Sequence, residues 1–69
     1  FQPSLTIDQQ ANAAFLKLAD GKAVRTVAVN DGGRVVATLS FLDSGELQGI
    51  ELLDAKRHIP NVAEFNGAR

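Results

Sequence analysis

The sequence predicts a mainly β protein of the α+β class: a small antiparallel β-meander of four or five strands followed by a short C-terminal helix. Turn sequences rich in Asp and Gly recur at intervals of eleven to twelve residues, at 20–21, 31–33 and 43–45. Asp-Gly favours tight hairpins because glycine readily adopts the positive φ that they require. The segments between these turns are rich in Val, Leu and Thr, and such runs favour strands. With 69 residues, the chain has room for one domain, residues 1–69.

The first twenty residues fit two different structures. Apolar residues recur there with helical spacing, namely Ile7, Ala11, Ala14, Phe15 and Leu18. Thr6 would cap such a helix and Gly21 would end it. The alternative makes residues 5–8 and 13–18 two strands joined by a turn at 9–12. The local pattern slightly favours the helix, and periodicity alone leaves both open.

Three further strands are predicted at 24–30, 35–42 and 47–53. The first of them alternates β-branched with polar or small residues, which is the period of a strand. The second is a long run of residues that favour strands, and the third alternates in part.

A helical C-terminal segment is predicted at about 55–66. Asp54 is a suitable N-cap, and Pro60 suits the first position of a second helical turn. Val62 and Phe65 would share one face of this segment, and Gly67 would end it.

Composition restricts how so small a chain reaches stability and what it binds. It has no Cys and one His, so association replaces the disulfides or metal that usually stabilise small domains. Seven Lys and Arg against eight Asp and Glu give no net field for nucleic acid or anionic lipid. No apolar run approaches the ~20 residues of a membrane span, and the N-terminus lacks a signal-peptide pattern. We therefore expect a soluble cytoplasmic protein without cofactor, nucleic-acid or membrane partners.

Both faces of the predicted sheet carry apolar residues. Within the strand at 35–42, one face receives Val35, Ala37, Leu39 and Phe41, and the other is half apolar. One short C-terminal helix covers only one side of such a sheet, so the other side is a candidate interface. We predict a homodimer with these four residues as interface candidates. The pattern does not determine which face is used.

No catalytic residue or metal ligand is predicted, and we do not expect an enzyme. Asp20, Asp31 and Asp43 neighbour turn glycines, where Asp is favoured for its hydrogen bonds to the local backbone. His58 has no activated Ser or carboxylate beside it in sequence. Glu51 lies within an apolar run, so we expect it to pair with Arg25 or Lys17 across the sheet. Glu51 and Arg25 are also weak candidates for a ligand site.

The segment from Gly45 to Ala55 resembles a strand of a short prokaryotic family, the domain of unknown function numbered 2283. Members typically have G-(K/R)-L-V-G-I-E-I-L-D-A there. The segment from Ile7 to Leu18 is similar to the family's Y-D-x-x-A-D-A-L-Y-I-R-L, and 24–31 aligns with its V-x-V-D-D segment. The resemblance covers about residues 5–58 and implies a meander with a C-terminal helix, hence two strands within 5–18. The chain departs from the family at Asn12, where an Asp is usual, and at acidic positions occupied by Ser40, Leu42 and Ser44.

Because the family has no established activity, the resemblance implies a fold rather than a reaction. The leading hypothesis is a non-enzymatic, homo-oligomeric interaction module that can meet a protein partner. The family's tendency to lie beside small toxin-like genes extends this hypothesis to an antitoxin-like role. The alternative is a small-molecule binding protein or minimal enzyme, with a pocket at the subunit interface near Glu51 and Arg25.

Overall fold

The computed structural model describes residues 1–64, which form one open antiparallel sheet with a short helical segment after it. The strands are β1 (Ser4–Asp8), β2 (Ala13–Lys17), β3 (Arg25–Asp31), β4 (Arg34–Phe41) and β5 (Leu47–Leu53). They are followed by the helix α1 (Ala55–His58) and a 3-10 helix (Val62–Glu64). The predicted fold class, mainly β with a short C-terminal helix, is confirmed. The predicted helical segment, 55–66, is interrupted at residues 59–61. Its end, with Phe65 and the predicted stop at Gly67, lies outside the described residues.

The strand order is β1-β2-β5-β4-β3. A hairpin, β1–β2, stands beside a three-stranded meander, β3–β4–β5, whose last strand pairs with β2. The turn sequence at Asp20-Gly21 is therefore not a hairpin, contrary to the sequence-based expectation. Because β2 pairs with β1 on one side and β5 on the other, β3 has no free edge of β2 to join. The chain instead crosses to the far edge of the sheet through residues 18–24.

The other two glycine turns are hairpins, as predicted. Gly32 and Gly33 both have positive φ, 61° and 85°, which a two-residue hairpin loop requires at both central positions. Gly45 has a φ of 93°, and its N–H donates to the carbonyl oxygen of Leu42 at 2.9 Å. These turns fix the register of the three-stranded meander.

The N-terminal residues form two strands and not a helix. Ile7 and Ala14, which a helix would place on one stripe, instead pair directly across the β1–β2 hairpin. The turn between the strands is closed by Asp8, whose carboxylate accepts a hydrogen bond from the N–H of Ala11 at 3.0 Å. Asn12 has a left-handed φ of 55° and returns the chain into β2. The apolar spacing fits a helix and a hairpin equally, because a hairpin also brings apolar residues of its two strands onto one face.

The core lies at one end of the sheet. Four buried residues form it: Ile7, Ala14, Ala55 and Val62. Leu5, Leu52 and Ile59 pack against this cluster from its rim. The Cα atoms span 34 × 32 × 15 Å, and a thickness of 15 Å accommodates one sheet and a thin cover. The core therefore depends on α1 and the 3-10 helix lying on β1, β2 and β5.

Candidate functional site

One face of the sheet is apolar across its full width. In antiparallel sheets, residues that pair directly have side chains on the same face, so the register can be followed from strand to strand. One row of paired residues comprises Ile7, Ala14, Leu52, Ala37 and Val29. The adjacent row comprises Leu5, Leu16, Ile50, Leu39 and Val27. We call this surface the apolar face.

The described part of the C-terminal segment, residues 55–64, covers half of this face. Ala55, Ile59 and Val62 pack on the residues that β1, β2 and the end of β5 contribute to the two rows. Ile7 and Val62 are 1% and 3% exposed as a result. We call this region the covered half; it contains the core of the described residues.

The other half of the apolar face, on β3 and β4, has no such cover among residues 1–64. We call it the open half; it consists of Val27, Val29, Ala37, Leu39 and Phe41. All seven residues of β3 are exposed. Val27 and Val29 are 38% and 36% exposed, which is high for β-branched residues in a strand. Three of the four predicted interface residues, Ala37, Leu39 and Phe41, thus lie on the open half, and their role in an interface stays a prediction. The fourth, Val35, pairs with Asn30 beyond a bulge at Val36, so it lies on the opposite face.

Arg25 borders the open half. Its guanidinium lies over the Phe41 ring, 4.3 Å from the ring centroid, in a cation–π contact. The two residues pair directly across β3 and β4. The aliphatic stem of an arginine placed in this way shields part of the aromatic ring from water. Arg25 therefore forms a charged rim on the apolar surface.

The opposite face of the sheet mixes polar and apolar side chains. One of its rows comprises Thr6, Phe15, Glu51, Thr38 and Ala28, and another comprises Ser4, Lys17, Gly49, Ser40 and Thr26. The Thr26 and Ser40 hydroxyl oxygens are 3.5 Å apart across these strands. We call this surface the mixed face.

The two weak ligand-site candidates do not meet. Glu51 lies on the mixed face between Phe15 and Thr38, whereas Arg25 lies on the apolar face. Neither of the two ion pairs formed within residues 1–64 involves Glu51; Lys17 instead approaches Asp20, with 3.8 Å between nitrogen and oxygen. The expected pairing of Glu51 with Arg25 or Lys17 is therefore wrong for the described residues, because alternation along the strands places Arg25 on the other side of the sheet.

Among the turn aspartates and His58, the hydrogen bonds that the structure shows are to nearby backbone groups. The Asp20 carboxylate accepts a hydrogen bond from the N–H of Gly21 at 3.0 Å. His58 Nδ1 lies 3.0 Å from the carbonyl oxygen of Leu53, so this nitrogen donates, because a carbonyl only accepts. Residues 1–64 hold no group of three or more His, Cys, Asp or Glu placed to bind a metal ion.

Asn12 is the residue that sequence reasoning missed. Its side-chain nitrogen donates to the Asp54 carboxylate at 2.9 Å, and its side-chain oxygen accepts from the N–H of Lys56 at 2.9 Å. Its backbone carbonyl accepts from the N–H of Ala55 at 2.9 Å. These bonds attach the start of α1 to the β1–β2 turn and so position the segment that covers the sheet.

Asp54 does not cap α1 as predicted. Its backbone is left-handed, with a φ of 52°, and its side chain makes no capping hydrogen bond. The carboxylate is directed to Asn12 instead, and it also lies 3.8 Å from the Arg57 guanidinium. The contact to a residue 42 positions earlier in the chain replaces the local one.

Two small cavities lie beside the C-terminal segment. The larger, about 180 Å³, lies between the β1–β2 turn and the 3-10 helix; Ile7, Asn12, Pro60 and Val62 are among its lining residues. The second, about 170 Å³, is lined by Asp31, Arg34, Val36, Arg57 and His58. Both are below the ~300–1,000 Å³ of typical small-molecule sites. Neither Glu51 nor Arg25 lines either cavity.

Comparisons with family models, curated proteins and solved structures found no match to this chain. The resemblance to the domain of unknown function numbered 2283 therefore stays a prediction. None of the helices within residues 1–64 has the length and apolar character needed to cross a membrane.

Proposed function

We propose that the chain is a non-enzymatic self-association module, in which a second copy packs its own open half against this one. The observation that carries the proposal is the extent of the open half. Two rows of paired apolar residues run across five strands, and residues 55–64, the described part of the C-terminal segment, cover them on β1, β2 and β5.

The size of the open half supports an interaction surface. Its two strands of about seven residues, ~4.8 Å apart with a rise of ~3.4 Å per residue, give a patch of roughly 10 × 24 Å. Contiguous apolar patches of a few hundred Å² on small proteins mark interaction sites. Burial in an interface would remove Val27 and Val29 from water and extend the small core of the single chain.

A second copy is the occupant that fits this surface. A two-fold interface brings the same patch of both copies together, so the patch has to complement itself. A flat apolar surface meets that requirement, whereas a charged surface would repel its copy. The charged residue Arg25 stands at the rim and folds onto Phe41, where it can remain in contact with water.

The small-molecule alternative has less support. Its two proposed ligand residues, Glu51 and Arg25, lie on opposite faces of the sheet. Native mass spectrometry of the purified protein distinguishes the hypotheses: a bound metabolite supports the alternative, and multiples of the chain mass alone support self-association. A stoichiometric second protein would extend the module to the antitoxin-like role.

Sedimentation equilibrium tests the proposal with two charge insertions on β4. Ala37→Asp places a carboxylate on the open half, and Ser40→Asp places the same group on the mixed face of the same strand. We expect the wild-type protein and Ser40→Asp to associate at micromolar concentration, with a Tm that rises with protein concentration. We expect Ala37→Asp to form a smaller assembly than either of them at the same concentration. A wild-type chain that stays monomeric, or equal association of both variants, would contradict the proposal.

A further inference from the structure

Strand β3 presents an open edge in addition to its apolar face. It is the last strand of the sheet, and all seven of its residues are exposed. An edge strand leaves a row of backbone N–H and C=O groups directed away from its neighbour, and such a row is a template for another strand. The edge of β3 is therefore a second potential contact, chemically distinct from the open half.

The opposite edge, β1, differs in the features that discourage strand pairing. It has five residues and is preceded directly by Pro3, which has no N–H to donate. β3 has seven residues and contains neither Pro nor Lys, the residues that commonly protect an edge.

The outer edge of β3 is also regular. The register with β4 shifts after Val29, which pairs with Ala37, because the next pair joins Asn30 to Val35. The extra residue of this bulge, Val36, therefore belongs to β4, and β3 itself carries no insertion.

The sequence of β3 complements itself in antiparallel pairing. Its residues are Arg25, Thr26, Val27, Ala28, Val29, Asn30 and Asp31. With Ala28 opposite Ala28 of a second copy, Val27 faces Val29 and Thr26 faces Asn30. The two ends bring Arg25 opposite Asp31, and the two-fold axis repeats this pair. Opposite charges and β-branched pairs placed directly across a sheet both stabilise pairing.

We propose that β3 pairs antiparallel with β3 of a second copy, with Ala28 on the two-fold axis, so that two five-stranded sheets form one sheet of ten strands. The charge complementarity of the two ends selects this register: a shift of the pairing separates Arg25 from Asp31. It also favours a second copy as the partner, since a second β3 supplies the complementary charge at both ends.

Edge pairing would also enlarge the apolar surface. It joins the open halves of the two copies into one continuous strip on the same side of the sheet, since paired residues share a face. The strip measures about 460 Å² by the strand spacings used above, more than half of the ~800 Å² per partner of a standard interface. Two ten-stranded sheets packed through this strip would form a tetramer with closed dihedral symmetry. The edge contact does not depend on this packing.

Single cysteines test the edge contact and its register, because the chain has no cysteine of its own. In Ala28→Cys, the two introduced thiols would lie on the axis, with Cα atoms about 4.5–5.5 Å apart, within the range of a disulfide. Thr26→Cys is the matched control on the same strand and the same face. Its two copies would lie roughly 13 Å apart along the strand, beyond the ~7 Å limit. We expect mild oxidation to cross-link Ala28→Cys rapidly and Thr26→Cys at least tenfold more slowly.

Charge reversal tests the same contact without cysteine. Arg25→Asp and Asp31→Arg each place like charges opposite one another at both ends of the paired strands. We expect each to weaken edge association by about tenfold or more. The double variant, Arg25→Asp with Asp31→Arg, restores opposite charges and should recover association. The double variant also lacks the contact of Arg25 with Phe41. Recovered association therefore cannot result from restoring that contact within one chain.

These experiments separate failure of the edge contact from failure of face packing. If Ala28→Cys does not cross-link, or Thr26→Cys cross-links equally fast, the edge proposal is wrong even where sedimentation shows association. If Ala37→Asp leaves the sedimentation mass unchanged while Ala28→Cys still cross-links, the face proposal is wrong and the edge proposal stands. No recovery in the double charge variant would refute the proposed register.

Discussion

The side chain of Asn12 joins the sheet to the segment that covers it, and its removal should destabilise the protein substantially. Asn12→Ala deletes two hydrogen bonds of 2.9 Å, one to the Asp54 carboxylate and one from the N–H of Lys56. Each contributes about 1 kcal/mol, because Asp54 is partly exposed to water. Alanine at a φ of 55° adds a cost of about 1 kcal/mol, since the left-handed conformation crowds its Cβ.

The sum, roughly 3 kcal/mol, is a large part of the total for a domain of this size, about 3–10 kcal/mol. Asn12→Gly isolates the hydrogen bonds, because glycine accepts a positive φ without strain. We expect it to be less destabilising than Asn12→Ala by about 1 kcal/mol. Gln10→Ala changes an exposed residue in the same turn and should alter stability by less than about 0.5 kcal/mol.

Urea unfolding measures these differences, with all variants at one protein concentration because self-association adds to apparent stability. Hydrogen exchange provides a local readout. In Asn12→Gly, the Lys56 amide should exchange faster, because the side-chain oxygen that accepts its hydrogen bond is gone. Amides at the centre of β5 should keep their wild-type rates of exchange through local opening. Wild-type stability in Asn12→Ala together with a protected Lys56 amide would refute the reasoning.

Three further substitutions follow from packing. Gly49→Ala would place a Cβ 2.8 Å from Phe15 Cζ and 2.9 Å from the Leu16 carbonyl oxygen, and this backbone oxygen cannot move aside. We expect the free energy of unfolding in urea to fall by about 1–3 kcal/mol, and wild-type stability would contradict this. Val62→Ala removes two methyl groups from a 3% exposed side chain and should cost about 2 kcal/mol, whereas Val24→Ala, at 62% exposed, should change little in the same assay. His58→Ala loses one exposed hydrogen bond to Leu53, so thermal unfolding should detect a change below about 1 kcal/mol, and a larger loss would show that the imidazole holds α1 in place.

The fold class and three of the five strands followed directly from local chemistry. The period-two runs at 24–30, 35–42 and 47–53 match β3, β4 and β5 within two residues at each end. Strands are predictable here because their turns contain glycines with positive φ, a requirement of local backbone geometry. The N-terminal hairpin was harder, since Ile7 and Ala14 fit a helical stripe as well as a hairpin pair. Its two strands were predicted from a resemblance, and the pairing of β1 with β2 confirms them.

The candidate surface was predicted only in part. The sequence placed Val35, Ala37, Leu39 and Phe41 on one face by alternation, which is a local property. This holds for the last three, whereas the bulge at Val36 turns Val35 to the opposite face. The sequence also did not show which residues of other strands extend that face. That depends on strand order, and β5 inserts between β2 and β4. The same dependence separated Glu51 from Arg25.

The sequence by itself determined the strands, the hairpins at 31–34 and 42–46, and the surplus of apolar side chains over what one short helix covers, because each rests on contacts or composition within a few neighbouring residues. Only the tertiary structure decided the order of the strands, the role of Asn12 and the side on which the C-terminal segment lies. These features rest on contacts between residues some forty positions apart, such as Asn12 with Asp54 and Lys56. Long-range contacts of this kind leave no periodic pattern in the chain, and they determine which half of the apolar face stays open.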